Sequence, residues 1–356
     1  MKGNIKNINS NTELKSPNNG NFNFIDIAKF VSSIFIMMIH YSSIFKNKIT
    51  YLLILNVICR YGVPFFFVTT GFFLFKKFKF KNGKIKKSKK IFRNFLNYEK
   101  RICVLYLIWS VAYCGLRYYE YCTKSFGEYN FWKDFFVSFI FEQTYYHMWY
   151  LLSIIFAVPI MYFLLRFIKI KYVCIIAVVL YVIEALSYGY TWLPDVDSLL
   201  AMILKTKIFG VAIFRAMPLI LTGMVCLKNK LTYKKKIIGF IICAVLNIVE
   251  VLVIYLIGND LGRYSYIFTT LPLAFFLFSI ISEIKLNCSK KLCIYFRKSS
   301  TLIYCIHPLV YYFITPLEFP SVFINFAICI IIVLAISFVI IWLSDKKIFA
   351  FLQFLF

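Results

Sequence analysis

The sequence is short of acid: 15 Asp and Glu stand against 41 Lys and Arg in 356 residues, a formal net charge of +26. Histidine is scarcer still, with three in the chain. None of the 11 cysteines belongs to a Cys-x-x-Cys pair or stands near a histidine at metal-ligand spacing. Most lie inside apolar runs, where a thiol behaves as a small hydrophobe. These absences argue against a zinc site and a disulfide framework, and no metal is expected. The basic residues fall in short blocks between apolar runs rather than in one patch, which argues against nucleic acid as a partner. No short apolar segment precedes a small-residue cleavage site, so neither a removable signal peptide nor a soluble domain at either end is expected. No repeat of one half in the other stands out, nor does a matched pair of Gly/Pro-interrupted spans of the kind many transporters carry.

What the chain does have is apolar length. Hydrophobic residues make up 61% of it, and runs of about 20, enough to cross a bilayer as a helix, recur throughout. The pattern predicts an all-α integral membrane bundle of about ten transmembrane helices, near residues 24–45, 51–75, 102–120, 148–168, 172–190, 208–227, 237–257, 264–283, 299–316 and 322–343. Residues 1–23, rich in Asn, Lys and Ser, read as a disordered tail. Residues 24–345 read as the membrane domain and 346–356 as a short second tail. The segment 76–101 is dense in Lys and Arg, which places it in the cytoplasm by the positive-inside rule. Counting outward puts both termini inside and leaves Glu128, Asp134, Glu142, Asp195, Asp197, Asp260 and Glu318 outside.

The first span, DIAKFVSSIFIMMIH (Asp26–His40), combines membrane-grade apolarity with an acid, a base, a serine and a histidine. At about 100° per residue, Asp26, Lys29, Ser33 and His40 share one narrow stripe, and Lys29 lies roughly 16 Å below His40. Ionisable groups in a span cost several kcal/mol unless they face protein or water, so the stripe implies a polar cavity. Other spans carry groups at similar depth. Arg60 and Arg215 lie inside the second and sixth, Glu142 and His147 stand at the outer mouth of the fourth, and His307 is near the middle of the ninth. Each has a structural alternative. Arg60 or Arg215 could pair with Glu184 or Glu250, and His307 could hold the carbonyls that Pro308 frees. Asp195 and Asp197 read as solvated loop charges.

Four stretches resemble the acyltransferase 3 family of integral membrane acyltransferases. They are the first span, RYGVPFFFVTTGFFLFKK (Arg60–Lys77), HMWYLLSIIFAVPIMYFLL (His147–Leu165) and STLIYCIHPLVYYF (Ser300–Phe313), with weaker support from FRAMPLILTGM (Phe214–Met224). The resemblance runs from about residue 22 to 345. Lys29 stands where the family has an arginine, which keeps the cation but loses bidentate grip. Of the paired arginines expected at the start of the third span, Arg101 fits the second position and Tyr98 occupies the first, with Lys100 or Arg93 as substitutes.

The resemblance implies a multi-pass protein of the bacterial plasma membrane that moves an acyl group, usually acetyl, from cytoplasmic acyl-CoA to a hydroxyl of a cell-surface or lipid-linked polysaccharide. Lys29, Arg101 and Lys100 would hold the donor, and His40 would act as general base. Arg60 or Arg215 would stabilise the oxyanion, and Glu142, His147 or Arg215 would meet the carbohydrate acceptor. The competing expectations are a polysaccharide or anion exporter using the same polar pathway, and a membrane-embedded sensor.

Overall fold

The computed structural model describes residues 22–41, 50–123, 130–190, 193, 210–258, 266–317 and 321–356. The expected tail lies mostly outside these residues, as do Glu128, Asp195, Asp197, Asp260 and Glu318. The chain is an all-α bundle. Its helices are α1 (Asn23–His40), α2 (Tyr51–Lys76), α3 (Lys89–Thr123), α4 (Phe131–Phe141), α5 (Trp149–Phe167), α6 (Ile170–Gly189), α7 (Val211–Lys228), α8 (Tyr233–Gly258), α9 (Thr270–Ile281), α10 (Lys290–Ile314) and α11 (Val322–Ser344). Among the described residues nine are long and apolar enough to cross a membrane, and α9 is a shorter apolar helix. Two-residue strands β1 (Phe80–Lys81) and β2 (Lys84–Ile85) pair antiparallel in the lysine-rich segment, turning at Asn82 and Gly83, both of positive φ.

The expected span at 264–283 is present only as α9, whose 12 residues rise about 18 Å, well short of a bilayer core. The irregular turn before it is satisfied by a neighbouring helix. The Glu250 carboxylate of α8 accepts the backbone N–H groups of Phe268 (2.8 Å) and Thr269 (2.9 Å), and Asn247 donates to the Thr269 hydroxyl (2.8 Å). Backbone outside a helix is tolerated at membrane depth only with such partners. Glu250 thus serves α9, not an arginine.

Two helix contacts position the interior. In the first, α2 and α7 meet backbone to backbone. A Cβ on Gly71 would overlap the Ile220 carbonyl, and one on Gly223 would overlap the Val68 carbonyl. Small residues are what allow membrane helices to approach this closely. Both helices open with a π-helical segment, Tyr51–Ile58 and Val211–Ala216; Arg215 lies within the second, and Arg60 in the 3-10 turn Cys59–Tyr61 that follows the first. In the second contact, α1 packs along α10. Asp26 lies 3.9 Å from Arg297, and the rings of His40 and His307 lie 5.3 Å apart. Matching low with low and high with high means the two helices run parallel.

The segment expected as a tail at 346–356 is ordered: Lys347–Leu355 forms a 3-10 helix against α3 and α11. The Trp109 indole donates to the Leu355 carbonyl (3.2 Å), and the Gln353 amide to that of Ser344 (3.1 Å).

Gly71→Ala and Gly223→Ala should each destabilise the bundle by about 3 kcal/mol or more, since backbone cannot yield as a side chain does. Gly115→Ala, with nothing within 4 Å of the added carbon, should be neutral or raise stability by up to about 1 kcal/mol through helix propensity. Thermal unfolding in detergent separates the two cases.

Candidate active site

The stripe on α1 has a counterpart. On α10, Arg297, Ser300, Tyr304 and His307 recur at three- and four-residue steps and occupy one face. The facing stripes wall a cavity of about 590 Å³, completed by residues of α2, α3 and α5. Five cations line it (Lys29, Lys77, Arg101, Lys290 and Arg297) against one carboxylate, Asp26. Lys77, Arg101, Lys290 and Arg297 are exposed and mark the rim. Lys29 lies deeper, its ammonium 5.8 Å from the centre of the Phe66 ring. Among the described residues it makes no ion pair or hydrogen bond. The inner lining is apolar and aromatic, with Ile36, Leu105, Leu151, Ile154, Tyr150 and Tyr304.

Two of the three expected donor residues, Lys29 and Arg101, therefore share one cavity. The third does not: Lys100 is exposed and is absent from the lining, because it lies about 100° around α3 from Arg101. Tyr98, read as a departure where an arginine was expected, also lines the cavity. The sequence reading missed Lys77, Lys290 and Arg297. For Arg297 the signal was available, since YFRKSSTLIYCIH carries the same kind of one-faced polar stripe as the first span.

His40 does not line this cavity, which ends against Ile36, Tyr150 and Tyr304. Ile36 is four residues before His40 and Tyr304 three before His307, so the lining of α1 and α10 reaches to about one helical turn, ~5.4 Å, from the histidines. There the three histidines of the chain converge. His307 lies 5.3 Å from His40 and 5.5 Å from His147, centre to centre. The Tyr304 hydroxyl donates to the His147 carbonyl. The Tyr146 ring flanks His40 at 4.8 Å.

His147 was expected at an outer mouth, but it is 2% exposed. The reason lies in α4. This helix runs back along α3 instead of forming an external loop: Arg117 pairs with Asp134, and the Tyr106 hydroxyl donates to the Phe139 carbonyl (2.8 Å). The chain that follows is pinned at depth by Ser110 and Thr144 (2.6 Å) and by Tyr113 stacked on Tyr145. The Tyr113 hydroxyl in turn donates to the Cys305 carbonyl of α10 (2.6 Å). His147 is thus carried inward, and Glu142, half-buried, ends α4 with its N–H on the Ser138 carbonyl (3.2 Å).

The two arginines differ. Arg60 donates from Nε to Asn56 Oδ1 (2.7 Å) and lies within electrostatic range of His40, with neighbouring Cys59 against Met38 of α1. Arg215 takes the structural alternative, pairing through Nε (2.8 Å) and Nη2 with Glu184, itself 2% exposed. Its guanidinium lies 4.1 Å from the Tyr266 ring centre and 5.4 Å from that of Trp149.

The fold is that of a multi-pass membrane protein with a cationic cavity inside an apolar bundle and a cluster of imidazoles one helical turn beyond its lining. The chain belongs to the acyltransferase 3 family: the family's model, described as an acyltransferase domain, matches residues 22–342. Among curated proteins it is similar to an amino-acid racemase of Enterococcus faecalis, 25% identical over 173 residues. That match covers 48% of this chain and 22% of the relative, so the chain spans about a fifth of that protein's length. No solved structure matches.

If the Arg215–Glu184 pair is structural, Arg215→Met should lower stability by about 3–5 kcal/mol by stranding a buried carboxylate. Adding Glu184→Leu should restore most of the loss. Thermal midpoints of the single and double variants test this.

Proposed function

We propose that the protein transfers an acyl group, most simply acetyl, from acyl-CoA to a hydroxyl of a cell-surface or lipid-linked glycan across a bacterial plasma membrane. The observation that carries the reading is the cavity, cationic at its rim and apolar within, aimed along α1 and α10 at the three histidines. The rim cations suit the phosphates of CoA: Arg101 and Arg297 can grip bidentately, while Lys77 and Lys290 act as point charges. Lys29, deeper and without an ion pair among the described residues, meets the anion nearest the arm. The narrow apolar section accommodates pantetheine, which carries no charge. On this reading the lysine-rich face is cytoplasmic, in keeping with its basic loops.

The thioester then needs to pass one further helical turn, as the side chains of Ile36 and Tyr304 part, to meet His40. His40 takes the proton of the acceptor hydroxyl as its oxygen attacks the thioester carbonyl. The new C–O bond forms, the C–S bond breaks, and the proton passes to the departing thiolate to give free CoA. Arg60, in electrostatic range of His40, is placed to stabilise the oxyanion in a site of low dielectric. His147 meets the acceptor from within the bundle, with Glu142 on its approach, while Arg215, expected to meet the acceptor, is held by Glu184.

Membranes carrying the protein, given labelled acetyl-CoA, should move label to envelope glycans. His40→Ala should lower the rate by about 100-fold or more, the scale of a lost general base. Lys29→Ala and Arg297→Ala should each raise the donor KM by about tenfold with smaller effects on kcat, as loss of a charge-assisted phosphate contact requires. Full transfer by His40→Ala, or glycan flux without release of CoA, would contradict the reading.

A further inference from the structure

His307 carries an unused group. Its Nδ1 lies 2.9 Å from the Ile303 carbonyl oxygen, which accepts only if Nδ1 bears the proton. The carbonyl sits one turn back on α10; the carbonyl that Pro308 frees is that of Tyr304, so this bond holds the ring to the helix without being the expected cap on the freed carbonyl. It fixes the tautomer, and Nε2 is left with a lone pair and no proton to give. That nitrogen is buried and has no hydrogen-bond partner among the described residues. His307 is 2% exposed, so bulk water does not supply one. Holding the ring needs Nδ1 alone, and burying an unpaired acceptor costs stability. The neighbouring His147 is likewise 2% exposed, and its ring lies within reach of the Cys305 backbone.

The chemistry of the site accounts for the second lone pair. The acyl-transfer reading, on which this inference rests, uses the lone pair of His40 to take the proton of the attacking hydroxyl. A hydroxyl has one proton, so it cannot satisfy His40 and Nε2 of His307 together. A second O–H must come from elsewhere on the acceptor. We propose that His307 is an acceptor-binding residue whose Nε2 receives the O–H of a hydroxyl next to the one acylated, which orients the attacking oxygen toward His40. His147, whose ring also reaches the Cys305 backbone, offers its remaining nitrogen to the same group of hydroxyls.

The full-length protein in membranes tests this, with labelled acetyl-CoA as donor and the host's envelope glycans as acceptor. His307→Asn keeps an N–H at the Nδ1 position for the Ile303 carbonyl and removes the Nε2 acceptor. His307→Gln can place an amide oxygen near the Nε2 position. The expected result is a His307→Asn protein with unchanged thermal midpoint and donor KM but transfer slowed by about 30-fold, the scale of an unmet buried polar contact. His307→Gln should recover a substantial part of that rate relative to His307→Ala. Wild-type transfer by His307→Asn overturns the assignment, as does His307→Gln no better than His307→Ala. These outcomes leave the acyl-transfer reading intact if His40→Ala is inactive. A parent protein that moves no label overturns both.

Discussion

The structure turns on the burial of two polar stripes against each other. Asp26, Lys29, Ser33 and His40 on α1, and Arg297, Ser300, Tyr304 and His307 on α10, could not face lipid without a cost of several kcal/mol per charged group. Run parallel and set side by side, the stripes meet at Asp26–Arg297 and again at His40–His307. Between those levels they enclose polar volume instead of exposing it. The remaining helices serve this pairing. The glycine contact of α2 and α7 supplies a rigid wall, and α3 and α5 close the cavity from the other side.

Cation content and depth then divide the cavity's tasks. Exposed arginines and lysines at the rim attract anions without a large desolvation penalty, whereas Lys29 is set deeper against Phe66. Beyond the rim the walls are apolar and aromatic, which suits an uncharged chain. The histidines lie about one helical turn beyond Ile36 and Tyr304, the lining residues of α1 and α10 nearest to them.

Much of this was legible in the sequence where periodicity encodes it. The stripe of α1 placed Lys29 and His40 on one face by angle alone, and Arg101 fell into the same cavity as Lys29. The equivalent stripe on α10 was equally readable, yet Arg297 sits in a basic stretch that reads as a topology signal, and Pro308 drew attention to the helix backbone. Other features were hidden because they depend on tertiary contacts. FWKDFFVSFIF is too short for a span and reads as part of a loop. Only its docking on α3, through Arg117–Asp134 and Tyr106, shows that it carries His147 inward. Nothing local separates Arg215, paired with Glu184, from Arg60, near His40, since both sit on π-helical or adjoining turns at the same end of their helices. The short α9 was overestimated because hydropathy runs on into a turn that Glu250, a helix away, holds in place.

The central claim is that acyl-CoA occupies the cavity between α1 and α10 with its thioester directed at His40. The most direct measurement is a structure of the protein in nanodiscs with a non-hydrolysable acetyl-CoA analogue. The account predicts phosphate density among Arg101, Arg297 and Lys29, and an extended arm passing Ile36 with the carbonyl beside the His40 imidazole. An analogue bound elsewhere on the protein, or an arm that turns away from the histidines while the cavity holds lipid, would contradict it.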